Sequence, residues 1–322
     1  MNASIKNIAI VGGTGTIGTY IMQALLARNR FTITAISRHD SRAEFPSDIQ
    51  VMRVDYDNEK SIVDALQGQD TLIITTSVFA PKDTSAKLIR AAAAAGVSWV
   101  LPNELGMYNT DEAANDTIGP TKKDDRELIE SLGVSSWIGI SCGFWYEHSL
   151  SNGELYGIDI EKREVTFFDN GMQRLNTSTW SQVGRAVAAL LSLPVDLDDQ
   201  PSDVTLSAYR NHMVYVSSFT VNQREIFESV KRVTSTTDEQ WKIDREPAKE
   251  RFEEARERMR GGDRRAFARV LYTRYFFDDA GLFEKLHGLD SEKLELPKED
   301  LDEATKRAMQ LAQNGYWAKY GL

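Results

Sequence analysis

The first half of the chain alternates short apolar runs with amphipathic stretches. Residues 5–11, 31–37, 49–54, 70–76, 97–101 and 134–141 are rich in Ile, Val, Leu and Thr and are bounded by polar or turn residues. Such runs read as strands buried on both faces. Between them, residues 20–27, 59–66, 82–95 and 122–132 carry helical spacing. The alternation predicts an α/β fold with a Rossmann-type, doubly wound parallel sheet. The stretch 102–120 is the long connection of this half. It is polar and contains Gly106 and Gly119, and a long loop inside such a fold is more often functional than idle.

Beyond about residue 150 the rhythm changes. Residues 165–168, the turn Asp169-Asn170-Gly171 and residues 172–176 predict a hairpin. Helices are expected at 180–193, stopped by Pro194, and at 221–233, with a strand at 212–217 between them. A charge-laced helical region spans 247–277 and is broken at Gly261-Gly262, and 299–313 reads as a last helix. The organisation expected is an NAD(P)-binding domain over 1–150 and a smaller α+β substrate-side region over 151–322, interleaved with the first.

The densest chemical signal is GGTGTIG at residues 12–18, between the first strand and the first helix. Glycines there permit a tight turn, close approach of backbone to a pyrophosphate, and close packing of helix on strand. The helix N-terminus adds unpaired N–H groups and a partial positive charge. Gly12, Thr14, Gly15, Thr16, Ile17 and Gly18 are therefore candidate dinucleotide ligands. The second strand ends Ala35-Ile-Ser-Arg-His39. Arg38 stands where an NAD-selective site usually has an acid, and a guanidinium there suits a 2′-phosphate. NADP(H) is the cofactor expected, with Asp40 close enough to leave NAD open. Asp55 and Tyr56, after the third strand, are placed beside the adenine. Thr75, Thr76 and Ser77, after the fourth, are placed at the ribose.

Composition narrows the class. The 322 residues are 41% hydrophobic and 27% charged, with a net charge of −10 and one cysteine. The acidic balance argues against nucleic acid as a partner. A single cysteine excludes an internal disulfide and suits a reducing compartment. With no leader pattern and no apolar run of membrane-spanning length, a cytoplasmic protein without membrane association is the expectation.

These motifs together resemble the NmrA-like and isoflavone-reductase-like branch of the atypical short-chain dehydrogenases. The resemblance rests on GGTGTIG, Arg38, Leu101-Pro-Asn-Glu-Leu-Gly106, Lys122-Lys-Asp-Asp-Arg126 and Gly143-Phe-Trp-Tyr-Glu-His148. It implies a bilobal NADP-binding protein with its cleft between the lobes, and Asn103 near the cofactor. In the isoflavone-reductase-like enzymes a functional lysine opens the helix after the fifth strand, with arginine four residues later. That lysine is Lys122 here, the candidate for proton transfer and for the cofactor ribose. Phe144, Trp145, Tyr146 and His148 are expected to line an aromatic substrate pocket. The function implied is NADPH-dependent reduction of a small aromatic or conjugated molecule. The rival reading is a non-catalytic dinucleotide sensor that acts on a protein partner, and a homodimer stays open. The Tyr-x-x-x-Lys pattern of short-chain dehydrogenases occurs at Tyr56–Lys60, on the adenine side, and is read as coincidence. Cys142 is read as a buried small residue. The four histidines lack ligand spacing, so no metal is expected.

Overall fold

Seven parallel strands form the central sheet in the order β11-β6-β5-β4-β1-β2-β3. In this computed structural model the residues described are 4–77, 80–108, 110–119, 121–196 and 204–320. The first half runs β1 (Asn7–Val11), α1 (Thr16–Leu26), β2 (Thr32–Arg38), β3 (Gln50–Val54), α2 (Glu59–Leu66), β4 (Thr71–Ile74), α3 (Thr84–Ala94), β5 (Trp99–Leu101), α4 (Asp111–Asp116), α5 (Thr121–Leu132) and β6 (Ser136–Ser141). Strands β4, β5 and β6 are buried along their whole length. This is why they read as unbroken apolar runs rather than as alternating ones. One face is covered by α1 through Ile17, Ile21 and Leu25 and by Val183, Val187 and Leu190 of a later helix. The other is covered by α2, α3 and α5 through Ile62, Leu66, Leu88, Ile89 and Ile129.

The second half runs β7 (Phe144–Trp145), α6 (Tyr146–Leu150), α7 (Gly153–Tyr156), β8 (Ile158–Asp159), β9 (Glu164–Phe168), β10 (Leu175–Ser178), α8 (Trp180–Ser192), β11 (His212–Tyr215), β12 (Phe219–Val221), α9 (Gln223–Thr234), β13 (Lys242–Glu246), α10 (Ala248–Arg260), α11 (Ala266–Arg274), α12 (Glu284–His287) and α13 (Leu301–Gln313). Two three-stranded sheets, β12-β10-β7 and β13-β9-β8, build a smaller lobe around a core that includes Tyr146, Tyr156, Phe168, Phe227 and Tyr275. Two pieces of this half return to the large sheet. Helix α8 packs on α1, and β11 pairs with β6 from His212↔Ile138 to Tyr215↔Ser141. Among the described residues no helix is long and apolar enough to cross a membrane.

The hairpin expected over 165–176 is corrected. The turn itself forms: Asp169 and Gly171 take positive φ, and the Gly171 N–H donates to the Phe168 carbonyl at 2.9 Å. The strands on either side then diverge. Both edges of β9 are taken, by β8 antiparallel and β13 parallel, while β10 pairs with β12 and β7. A local turn signal does not reveal that distant segments have claimed both edges. The 102–120 connection also contains a short helix, α4, capped by Thr110, whose hydroxyl accepts from the Ala113 N–H at 3.1 Å.

The crossing between the lobes depends on Gly143, at φ +72°, directly after β6. A Cβ there would lie 2.1 Å from the Asn176 carbonyl oxygen of β10. Neither the dihedral nor the space admits a side chain. Gly143→Ala is expected to destabilise the fold by at least about 2 kcal/mol, read as a lowered midpoint in urea denaturation with an unchanged slope.

Candidate functional site

The carboxyl ends of the central strands converge on the GGTGTIG loop. Gly12 (φ +79°) and Gly18 are fixed by the fold. A Cβ on Gly12 would lie 2.2 Å from the Thr75 carbonyl, and one on Gly18 would lie 2.3 Å from the Gly12 carbonyl. Gly15 differs. It is exposed, its dihedrals suit any residue, and a Cβ there would meet only its own loop, at 3.1 Å. The bare backbone at that crest faces outward. Gly15 is the N-cap of α1 and offers no capping side chain, and the first turn has no acidic residue. The orphan N–H groups of that turn therefore point, with the helix dipole, to where an anion would sit. Thr14 is exposed, Thr16 half-buried, and Ile17 points into the core, so Ile17 can offer a ligand only its backbone. This cradle fits a pyrophosphate.

The adjoining strand ends complete the crevice. Thr75 is buried, and its N–H and hydroxyl both donate to the Val11 carbonyl, at 3.0 and 2.8 Å. Asn103 donates to the Thr76 carbonyl at 2.8 Å. These two side chains clamp β1, β4 and β5 together, leaving Thr76 half-buried and Ser77 exposed. Arg38 ends β2, 3.6 Å from Asp40, and both side chains are largely exposed. Tyr56 lies close enough to feel the Arg38 charge. Burial pushes its hydroxyl up to about 12, against the opposing pull of Arg38. Asp55 is half-buried and its carboxylate accepts from the Asp57 N–H at 2.9 Å. Lys60 is drawn to Asp64 at 2.6 Å, so the Tyr56–Lys60 pattern assembles no catalytic pair.

A second group of residues meets on the far side of the same edge. Helix α5 brings Lys122 and Arg126, the loop after β5 brings Glu104, Met107 and Tyr108, and β11 brings Met213, around a cavity of about 210 Å³. Gly139 of β6 makes room for the Met213 side chain: a Cβ there would lie 2.3 Å from Met213 Sδ and 3.5 Å from Glu104 Cδ. The Lys122 ammonium donates to the Met107 carbonyl at 3.1 Å. Burial lowers its pKa from the ordinary lysine value, with Glu104 opposing the shift. Glu104 is 3% exposed, and burial raises its pKa while Lys122 and Arg126 pull it back. Arg126 Nε is 3.5 Å from Glu104 Oε1, an oxygen with no hydrogen-bond partner among the described residues. The same burial thus raises the acid and lowers the base that face this cavity.

The aromatic residues expected to line the substrate pocket do not line this cavity. Phe144 stacks on Tyr272 at 3.9 Å inside the smaller lobe. Tyr146 has no exposure, shares a 2.7 Å hydrogen bond with Thr305, and is pushed far up by burial. Trp145 donates to the Leu105 carbonyl at 3.0 Å and packs against the core of the large sheet. His148 bonds Tyr316 through Nδ1 at 2.9 Å and packs on Trp317. The cluster is the packed hinge between the lobes. The aromatic wall of the cavity is instead Tyr108, which meets Tyr215 and His287 edge-on. Glu104 and Arg126 were visible in motifs, but Tyr108, Met213 and Tyr215 carry no local signal. Cys142 is fully buried and its thiol is pushed up to about 12 by that burial, so it is no nucleophile.

Residues 12–135 match the family model described as NAD(P)H-binding. The chain is 28% identical over 263 residues to the oxidoreductase aprR of Aspergillus flavus, covering 79% of this chain and 82% of that protein. Its fold matches a crystal structure of isoflavone reductase with a TM-score of 0.72 at 18% identity, over 93% of this chain and 98% of that one. It also matches the NADPH complex of the quinone oxidoreductase QOR2 of Escherichia coli with a TM-score of 0.65 at 17% identity, over 93% and 98%. The cradle at 12–18 thus belongs to an NAD(P)H-binding domain, built into the fold of isoflavone reductase.

Proposed function

We propose that the chain is an NADPH-dependent reductase of a small aromatic or conjugated molecule. The observation that carries this reading is Lys122: a half-buried amine with a lowered pKa, fixed on the Met107 carbonyl, facing a cavity beside the NAD(P)H-binding domain. A reductase needs a proton donor next to an open space for substrate, and this corner offers both. The relative aprR is named an oxidoreductase, and the fold-matched QOR2 is named an NADPH-dependent quinone oxidoreductase. A sensor would need no such cavity.

The backbone of Gly12–Gly18 and the α1 N-terminus would hold the pyrophosphate, with Arg38 at the 2′-phosphate and Tyr56 beside the adenine. The bound dinucleotide supplies a hydride. Lys122, in its protonated form, donates the matching proton to the substrate oxygen or carbon that gains electron density. The Met107 carbonyl fixes the direction of the ammonium, and Glu104 holds a negative or proton-bearing oxygen near it. Burial of both groups keeps their proton affinities closer together than they would be in water.

Three measurements test this reading. Wild-type protein should bind NADPH about ten- to a hundredfold more tightly than NADH, the range of one charge-assisted pair, and Arg38→Ala should remove most of that difference by calorimetry. Equal wild-type affinities would refute the NADP preference. Lys122→Ala should lower turnover of conjugated ketones or enones by roughly 10²–10⁴, while NADPH affinity and melting temperature change little. Turnover should also fall as pH rises through the lowered Lys122 pKa, because the donor is then deprotonated. A wild-type rate held by Lys122→Ala would sink the role. Tight NADPH binding with no compound turned over would bring the sensor forward.

A further inference from the structure

Arg126 is a cation on the cavity wall that the proton step does not use. Its guanidinium carbon lies 5.1 Å from the centre of the Trp137 ring, a cation–π contact. Only Nε approaches an anion, Glu104 Oε1 at 3.5 Å. Among the described residues the two Nη groups have no hydrogen bond, although the side chain is only 25% exposed. A guanidinium beside a ring, with two Nη groups that bond nothing among the described residues, can take a planar anion. Tyr108 also lines the cavity, backed by two further rings. Tyr108 meets Tyr215 at 5.7 Å and His287 at 4.7 Å, and these two stack at 4.4 Å with 7° between planes. Burial lowers the His287 pKa, so this wall is uncharged near neutral pH.

We infer that the cavity selects an aromatic or conjugated acid, its ring against Tyr108 and its carboxylate on the Nη edge of Arg126. This rests on the reductase reading for turnover but not for binding. The chain as a whole carries a net charge of −10, so an acidic ligand is repelled at long range and local cations must overcome that. Lys122, Lys123 and Arg126 line the cavity against Glu104 and Asp111. Burial moves Glu104 and Lys122 alike toward their neutral forms, which leaves Lys123 and Arg126 against Asp111 on the cavity wall.

Calorimetry on the NADP⁺-saturated protein tests this with trans-cinnamate and its neutral isostere cinnamamide. Cinnamate should bind at least tenfold more tightly. Arg126→Gln should reduce the ratio to within twofold, with NADPH affinity unchanged. Arg126→Lys, which keeps the charge and loses the fork, should fall between and serves if the glutamine variant does not fold. Equal binding of acid and amide by the wild type overturns the inference, as does a ratio retained in either variant. The two readings separate cleanly. An acid that binds through Arg126 but is never reduced removes the reductase and keeps this site. Neutral ketones turned over without any acid preference do the reverse.

Discussion

The reversal of strand order between β1 and β4 is the constraint on which the site depends. From β1 the sheet grows one way through β2 to β3 and the other way through β4, β5 and β6. The connections leaving the carboxyl ends of β1 and β4 therefore part company, and a crevice must open between them. The close contacts of Gly12 with Thr75 and of Gly18 with Gly12 are the local price of that topology. They hold the two strand ends so close that the outer turn of the loop, at Gly15, is left bare. The cradle and the crevice are one consequence of one sheet.

The second half of the site follows from how α5 enters. Its first turn delivers Lys122 to the positive end of a helix, into a corner already enclosed by the loop after β5. Both the dipole and the burial oppose a full charge on the amine. Glu104 opposes that shift and is itself desolvated. Alone, each group would be shifted further, because an unpaired buried charge is costly. The pair is a compromise between desolvation and attraction.

What the sequence revealed, and what it hid, divides along a physical line. The inner strands β1, β4, β5 and β6 were legible because burial on both faces writes an unbroken apolar run. The glycine loop and Lys122 were legible because each is a short-range motif whose meaning comes from the elements beside it. The hairpin at 165–176 failed because strand pairing is settled by segments such as β13, far along the chain. The aromatic run at 144–148 failed for a related reason. An aromatic side chain looks the same whether it lines a cleft or fills a core, and Tyr146 fills one. The wall at Tyr108, Tyr215 and His287 is drawn from three separate regions, so no window of sequence contains it.

The origin of β11 bears on how the protein is made. Strand β6 leaves the ribosome with one edge unpaired and exposing a ladder of N–H and C=O groups. Its partner is not synthesised until the whole stretch from Phe144 to Asn211, including most of the smaller lobe's first strands, has followed. An open parallel edge kept waiting that long invites pairing with another chain. The growing polypeptide thus has a defined window of vulnerability, which closes only when His212–Tyr215 docks. A holdase that shields that edge during translation would raise the yield of folded protein without altering its final stability.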